Sequence, residues 1–133
     1  MEMVELRFVA DSRDYYLLGS VNPVKMNKGA LYVAPDQSVW LMDYEKALAV
    51  IDDYAERCMS EMIGKSDYIV IYPCDSLAKI DGDKYIIGEC LIMKSVRGIQ
   101  CMNTKEMHDA FLEFISRITY VRAGQASLAA YEI

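Results

Sequence analysis

The residues best suited to chemistry in this sequence are a few cysteines, one histidine and one glutamate inside an apolar segment. Cys74 lies in the segment Pro-Cys-Asp-Ser, directly after a strongly apolar run. A thiol at the end of a strand can act as a nucleophile if a base or a helix N-terminus lowers its pKa. His108 is the only histidine, and no pattern in the sequence places it near Cys74. A cysteine-dependent enzyme is therefore the weakest of three hypotheses, and we predict no catalytic set.

One carboxylate lies among apolar neighbours in a predicted strand. A period of two places Glu89 on the same strand face as Tyr85 and Leu91. Burial raises the pKa of a carboxylate, so Glu89 needs either a partner or a ligand in such surroundings. Glu89 and Tyr85 are therefore the candidate ligand-binding residues, in a pocket lined by the sheet. The simpler alternative is a half-exposed face on which Glu89 reaches water.

Cofactor and metal sites of the common kinds are not indicated. The seven glycines are scattered, and none of them forms a glycine-rich phosphate-binding loop. One histidine and four cysteines without Cys-x-x-Cys spacing do not make the usual zinc site. We predict no metal ligands and no cofactor.

Acidic residues predominate on the outer face of the first predicted helix. The chain carries 20 acidic and 14 basic residues, for a net charge of −6. This balance disfavours nucleic acid and anionic membranes as partners, because both attract basic surfaces. It suits a basic protein surface, although a solvated helix face without a partner is the alternative. The candidate partner-binding residues are Asp52, Asp53, Glu56 and Glu61.

Length and composition indicate a single globular unit. A chain of 133 residues, 53% of them hydrophobic, predicts one α+β domain over residues 1–133. No apolar stretch approaches the roughly 20 residues of a membrane helix. The first residues lack the basic and apolar regions of a signal peptide. We therefore expect a cytoplasmic protein whose cysteines are reduced and buried.

Two segments have the periodicity of helices with one apolar face. The first is predicted over residues 44–63, with Gly64 placed to end it. The second is predicted over about residues 104–118, where Asn103 and Glu106 have the spacing of a capping box.

Strands are predicted for most of the remaining chain. Residues 67–72 lack alternation, which is typical of a strand buried on both faces. Asp81-Gly82 predicts a type I′ hairpin turn. Residues 22–29 are predicted to be irregular, and residues 127–133 favour a strand over a short helix. The other predicted strands are residues 3–9, 15–18, 31–33, 39–41, 84–94 and 99–102.

The predicted fold is a two-layer α+β arrangement, with a mostly antiparallel sheet and both helices packed on one face. Residues 31–43 and 91–103 follow the same order of strand, turn, strand and helix cap, so two repeated hairpin-plus-helix units are a further hypothesis. The leading functional hypothesis is a small protein-binding module of inhibitor, immunity or adaptor type, acting by occlusion and not by catalysis. A small-ligand site around Glu89 is second. The sequence identifies no partner or ligand, and it leaves a homodimer open.

Overall fold

A computed structural model describes residues 4–9, 14–17, 29–35, 39–123 and 126–133. Most of the irregular segment predicted at 22–29 lies outside the described residues. The helices are α1 (Tyr44–Tyr54) and α2 (Thr104–Ile115). The strands are β1 (Val4–Val9), β2 (Asp14–Leu17), β3 (Gly29–Val33), β4 (Val39–Asp43), β5 (Cys58–Met62), β6 (Tyr68–Pro73), β7 (Leu77–Ile80), β8 (Asp83–Ile86), β9 (Cys90–Ser95), β10 (Ile99–Gln100), β11 (Ile118–Ala123) and β12 (Ala126–Glu132).

The strands form two antiparallel sheets within the described ranges. The larger sheet has the order β2-β1-β4-β3-β9-β6-β5, with β10 paired to β9. The smaller sheet has the order β11-β12-β8-β7. The prediction of an α+β fold with antiparallel strands is confirmed. The closing strand predicted at 127–133 is also confirmed, as part of β12.

The two helices cover opposite faces of the larger sheet, so the prediction that both pack on one face is wrong. Along β3, Leu31 belongs to the apolar cluster that contains Met107 of α2. Its neighbour Ala30 belongs to the cluster that contains Ala47 of α1. Successive residues of a strand point to opposite faces, so the helices lie on different sides.

The physical reason is that the central strands are apolar on both faces. All four residues from Cys90 to Met93 in β9 are buried. Ile92 packs in the α2 cluster, whereas Leu91 packs in the α1 cluster. A strand of this kind leaves two apolar faces to cover, and one helix on each face covers them.

The smaller sheet packs on the same side of the larger sheet as α2. The ring of Phe114 in α2 stacks on that of Tyr131 in β12, with centroids 4.9 Å apart and an interplanar angle of 5°. Tyr131 and Ile86, from the smaller sheet, share the buried cluster with Leu31 and Val70 of the larger sheet. The apolar cluster on this side of the larger sheet therefore joins the two sheets and α2.

The first helix ends at Tyr54, although we predicted it to reach residue 63. Ala55 has a positive φ of 50°, a 3₁₀ turn follows over Ala55–Arg57, and the chain then enters β5. Gly64 also has a positive φ, of 57°, but it serves the turn between β5 and β6 and does not end a helix. The five residues of β5 are too few for their periodicity to distinguish a strand from a helix. The segment forms a strand because it pairs with β6.

The long strand predicted at 84–94 is in fact two strands in different sheets. β8 ends at Ile86 and β9 begins at Cys90. Between them Gly88 has a φ of 106°, a conformation that other residues rarely adopt. The hydroxyl of Ser76 donates to the backbone carbonyl of Glu89 at 2.8 Å, which helps to hold this crossing in place.

Two local predictions are confirmed. Asp81 and Gly82 have φ values of 52° and 88°, as a type I′ turn between β7 and β8 requires. At the start of α2 the Asn103 side chain accepts from the Glu106 N–H at 2.8 Å, and the Glu106 carboxylate accepts from the Asn103 N–H at 3.2 Å. The order hairpin-then-helix occurs at both β3-β4-α1 and β9-β10-α2. A repeat relationship between the two units stays a prediction.

The four cysteines are free thiols, but they are not all buried as we predicted. Cys90 is buried, Cys101 is half-buried, and Cys58 and Cys74 are exposed. Burial, followed by the negative charge of Glu89, raises the pKa of the Cys90 thiol and keeps it protonated. Among the described helices, none is long and apolar enough to cross a membrane.

We expect Asn103→Ala to lower the free energy of unfolding by about 1 kcal/mol, because the Glu106 N–H loses its acceptor at the start of α2. Urea denaturation followed by circular dichroism measures the change. Asn103→Asp, which keeps a side-chain acceptor, is the matched control and should stay close to the parent. Equal stability of Asn103→Ala and the parent would contradict this role of the cap.

We expect Glu106→Gln to remove part of the acid-side pH dependence of stability. The Lys94 ammonium lies 2.6 Å from the Glu106 carboxylate, and this hydrogen bond, followed by the Asn103 N–H, lowers the pKa of Glu106 below its ordinary 4.5. A lowered folded pKa stabilises the protein fully above the ordinary value, and the contribution is lost as the pH falls through the folded pKa.

Urea denaturation of the parent and Glu106→Gln across the acidic range tests this sign. The variant should be less stable than the parent at neutral pH, and the difference should shrink on acidification below 4.5. Glutamine keeps the capping geometry, so the comparison isolates the charge. A difference that stays constant with pH would show that the ion pair is not its source.

Candidate functional site

Glu89 directly precedes β9 and is half-buried, on the face of the larger sheet that α1 covers. The Tyr32 hydroxyl donates to its carboxylate at 3.0 Å. Tyr32 is in β3 and pairs with Leu91, two residues after Glu89, so the two side chains share a face. The partner that the sequence analysis required for Glu89 is therefore a tyrosine of the neighbouring strand.

Tyr54 brings a second hydroxyl to this region from the last residue of α1. Its side chain is 2% exposed, and the hydroxyl has no hydrogen-bond partner among the described residues. Burial raises the pKa of Tyr54, and the negative charge of Glu89 raises it further. The hydroxyl therefore stays protonated and is available as a donor. We call Tyr32, Tyr54 and Glu89 the tyrosine–glutamate site.

The chemistry of the tyrosine–glutamate site suits a small group that both donates and accepts hydrogen bonds. A carboxylate has about four acceptor positions, and Tyr32 uses one of them. The Tyr54 hydroxyl adds a donor that a bound oxygen or nitrogen would satisfy. An unsatisfied buried hydroxyl destabilises a protein by about 1–3 kcal/mol, so a bound acceptor that reached Tyr54 would be stabilising.

Tyr85, the other predicted ligand-binding residue, does not accompany Glu89. It lies in β8 of the smaller sheet, where it pairs with Ala78 and Glu132. Burial and then the charge of Asp83 raise the pKa of Tyr85. The structure therefore places the two residues in different sheets, because the chain turns at Gly88 between them.

A small cavity lies beneath Glu89, on the opposite face of the sheet. Its volume is about 20 Å³, and Val33, Cys90, Phe114 and Tyr131 are among the residues that line it. A space of this size holds about one water molecule and no larger ligand. It belongs to the core between α2 and the two sheets and does not reach the tyrosine–glutamate site.

Three of the four predicted acidic residues lie together and exposed at the end of α1. Asp52 and Asp53 occupy the last turn of the helix, and Glu56 follows in the 3₁₀ turn. Glu61 is separate from them because it lies in β5, on the sheet face opposite α1. There it forms a hydrogen bond with Tyr72. Burial raises the pKa of Tyr72 most, and the negative charge of Glu61 raises it further. We call Asp52, Asp53 and Glu56 the acidic helix end.

No basic side chain neutralises the acidic helix end among the residues the structure describes. Arg57, the nearest basic residue in the chain, pairs instead with Asp75 at 2.6 Å. The last turn of α1 contains no basic residue. The C-terminus of a helix carries partial negative charge, so acidic residues there are in an unfavourable field.

Cys74 is exposed at the start of a 3₁₀ turn, Cys74–Ser76, that follows β6. Its thiol lies 3.7 Å from the Asp75 carboxylate, which already pairs with Arg57. His108 lies on the exposed side of α2. Within the described ranges, no group of three or more His, Cys, Asp or Glu residues is arranged to hold a metal ion.

Sequence reasoning identified Glu89 and the acidic residues but missed Tyr32 and Tyr54. Tyr54 falls on the apolar stripe of the first helix, where a tyrosine looks like any other buried aromatic residue. The one available signal was the choice of tyrosine over phenylalanine, because a buried tyrosine hydroxyl usually needs a partner. Tyr32 becomes a partner of Glu89 only through the pairing of β3 with β9, which no local pattern predicts.

None of the known protein-family models matches this chain, and no curated protein or solved structure matches it either.

Proposed function

We propose that this protein is a protein-binding module that docks on a basic partner surface through the acidic helix end and acts by occlusion. The observation that carries the proposal is the exposure of Asp52, Asp53 and Glu56 without a neutralising partner among the described residues.

The position of these carboxylates supports a binding role because it opposes stability. Each acidic residue near a helix C-terminus is unfavourable by roughly 0.3–1 kcal/mol at low ionic strength. Asp52 and Asp53 both lie in that turn, next to the exposed Glu56. Residues that reduce stability without a local gain are the ones expected at functional sites.

A basic partner would reverse this unfavourable field on binding. Its Lys or Arg side chains would lie near both the carboxylates and the negative end of α1, so two sources of attraction add. Such pairing raises the association rate and gives it a strong salt dependence. No reaction is needed for this role, since covering a partner's surface is sufficient to block it.

We expect Asp53→Asn to raise the free energy of unfolding by roughly 0.3–1 kcal/mol at low salt, because it removes a charge from the negative end of α1. Glu45→Gln is the matched control: Glu45 lies in the first turn of the same helix, where the field favours it, so its loss should lower stability. Urea denaturation at low and at high salt measures both. Changes in the free energy of unfolding that have opposite signs in the two variants and disappear at high salt would support this electrostatic explanation. Changes of the same sign would contradict it.

Binding is tested with Asp53→Lys/Glu56→Lys. The parent should capture a protein from native extract at low salt and release it as salt rises, whereas the charge-reversed variant should capture none of it. Asp83→Lys/Glu113→Lys, two exposed reversals outside α1, makes the same change in net charge and should bind like the parent. Equal capture by the parent and Asp53→Lys/Glu56→Lys would refute the proposal.

A second candidate function is small-ligand binding at the tyrosine–glutamate site. The specific observation that favours it is the Tyr54 hydroxyl beside the Glu89 charge, for which the described residues offer no hydrogen-bond partner. A ligand with an alcohol group would donate to the carboxylate and accept from Tyr54, and an additional ammonium group would strengthen its bond to the carboxylate.

We expect Tyr54→Phe to leave stability unchanged or to raise it by up to about 2 kcal/mol, because it removes a buried hydroxyl that bonds to none of the residues 4–9, 14–17, 29–35, 39–123 and 126–133. Thermal unfolding with and without a panel of small amino alcohols and polyols would then test binding. Stabilisation of the parent that is absent in both Tyr54→Phe and Glu89→Gln would support the site. A marked loss of stability in ligand-free Tyr54→Phe would show instead that the hydroxyl already has a partner.

A further inference from the structure

In the part of the chain that the structure describes, no strand covers the outer edge of the larger sheet at β5. Among the described strands, β5 pairs with β6 alone. Met59 and Met62 are 38% and 48% exposed, and Cys58 and Ser60 are also exposed. Glu61 is the one charged residue of the strand, and it bonds within the chain to Tyr72. Natural proteins usually protect such uncharged edges, because another strand can pair with them.

The backbone directions along β5 identify the groups that are free to pair. The Ile63 N–H donates to the Tyr68 carbonyl at 2.9 Å, so Ile63 faces β6. Backbone groups of successive residues alternate in direction along an antiparallel strand. Cys58, Ser60 and Met62 therefore point their backbone groups away from β6. Of these groups the Cys58 N–H is not free, because it donates to the Ala55 carbonyl at the end of the 3₁₀ turn. Pro73 lies opposite Cys58 and lacks an N–H, which agrees with the absence of a bond at that pair.

We propose that β5 pairs with β5 of a second copy of this chain in an antiparallel, two-fold symmetric dimer centred on Ser60. In this register Ser60 lies opposite Ser60, and Cys58 lies opposite Met62. Ser60 then exchanges both backbone hydrogen bonds with its counterpart, and the Met62 N–H of each copy donates to the Cys58 carbonyl of the other. A pairing centred on Met59 makes fewer of these bonds, and one centred on Glu61 makes as many but places the two Glu61 carboxylates opposite each other.

Charge complementarity favours the same register. It brings the turn before β5 in one copy, which carries the exposed Glu56, to the same end of the contact as the turn after β5 in the other, which carries the exposed Lys65. Glu61 faces Met59 of the second copy and keeps its bond to Tyr72. Centring on Glu61 would instead place two carboxylates opposite each other, which is unfavourable. One symmetric contact covers the β5 edges of both copies, so no further strand can pair at these edges.

Sedimentation equilibrium of the full chain tests the proposal. We expect a species of twice the 15.1 kDa monomer mass for the parent and for Ser60→Ala. Ser60→Pro removes an outward-facing N–H and leaves the β5–β6 bonds intact, a position where an edge strand tolerates proline. Its dimer dissociation constant should rise by at least about 30-fold, because both central N–H···O bonds are lost. A parent that stays monomeric at its highest soluble concentration, or a folded Ser60→Pro that dimerises as tightly as Ser60→Ala, would overturn the proposal.

The register is tested separately, so that misfolding of Ser60→Pro does not leave the proposal open. Met62→Cys places a thiol opposite the native Cys58 of the second copy, within the usual Cα separation of a disulfide. Mild oxidation should convert Met62→Cys to a covalent dimer. Met59→Cys, which faces Glu61 of the second copy, is the matched control and should not cross-link beyond the parent. Equal cross-linking of the two variants, or none in Met62→Cys, would refute the register.

Discussion

The structure depends on a group of strands that are apolar on both of their faces. In β3 and β9, successive buried residues point to opposite sides of the larger sheet, so exposing either face to water is unfavourable. A single helix covers one side only, and the chain therefore supplies α1 to one face and α2 with the smaller sheet to the other. The positions of the helices, the break at Gly88 and the burial of Tyr54 all follow from this requirement.

The same requirement explains why polar chemistry collects at one end of the α1 face. The first helix ends at Tyr54, close to the end of β9 at which Glu89 lies, and its final turn carries Asp52 and Asp53. The packed interior of the sheet excludes these groups, so they occupy its margin. One group of carboxylates is exposed and suits a macromolecular partner, whereas Glu89 is half-buried and suits a small one. The two proposed functions therefore use neighbouring but different surfaces.

Local chemistry in the sequence predicted local structure well. The capping box at Asn103, the turn at Asp81-Gly82 and the closing strand depend on a few adjacent residues, and each is confirmed. Two of the wrong predictions concern segments whose structure depends on pairing with strands that are distant in the chain. The apolar periodicity around Met59 fits a helix until β6 pairs with that segment, and the strand predicted at 84–94 gave no sign that its halves join different sheets.

The wrong prediction that both helices pack on one face of the sheet was avoidable. The absence of alternation in residues 67–72 already indicated a strand covered on both sides, which two helices on one face cannot provide. The candidate site was harder to predict. Glu89 was identifiable as an unusual carboxylate, but its partners come from β3 and from α1, far away in the chain. Only the assembled sheet brings them together.

The order of strands in the larger sheet also has a consequence for synthesis on the ribosome. β9 lies between β3 and β6, yet it is made after both of them. The β3–β4 and β5–β6 hairpins can therefore form early, but each keeps an unpaired apolar edge until residues 90–95 leave the exit tunnel. Pairings between such distant segments close slowly, and exposed strand edges invite association during that delay. The nascent chain is therefore most in need of chaperone protection between the emergence of β6 and that of β9.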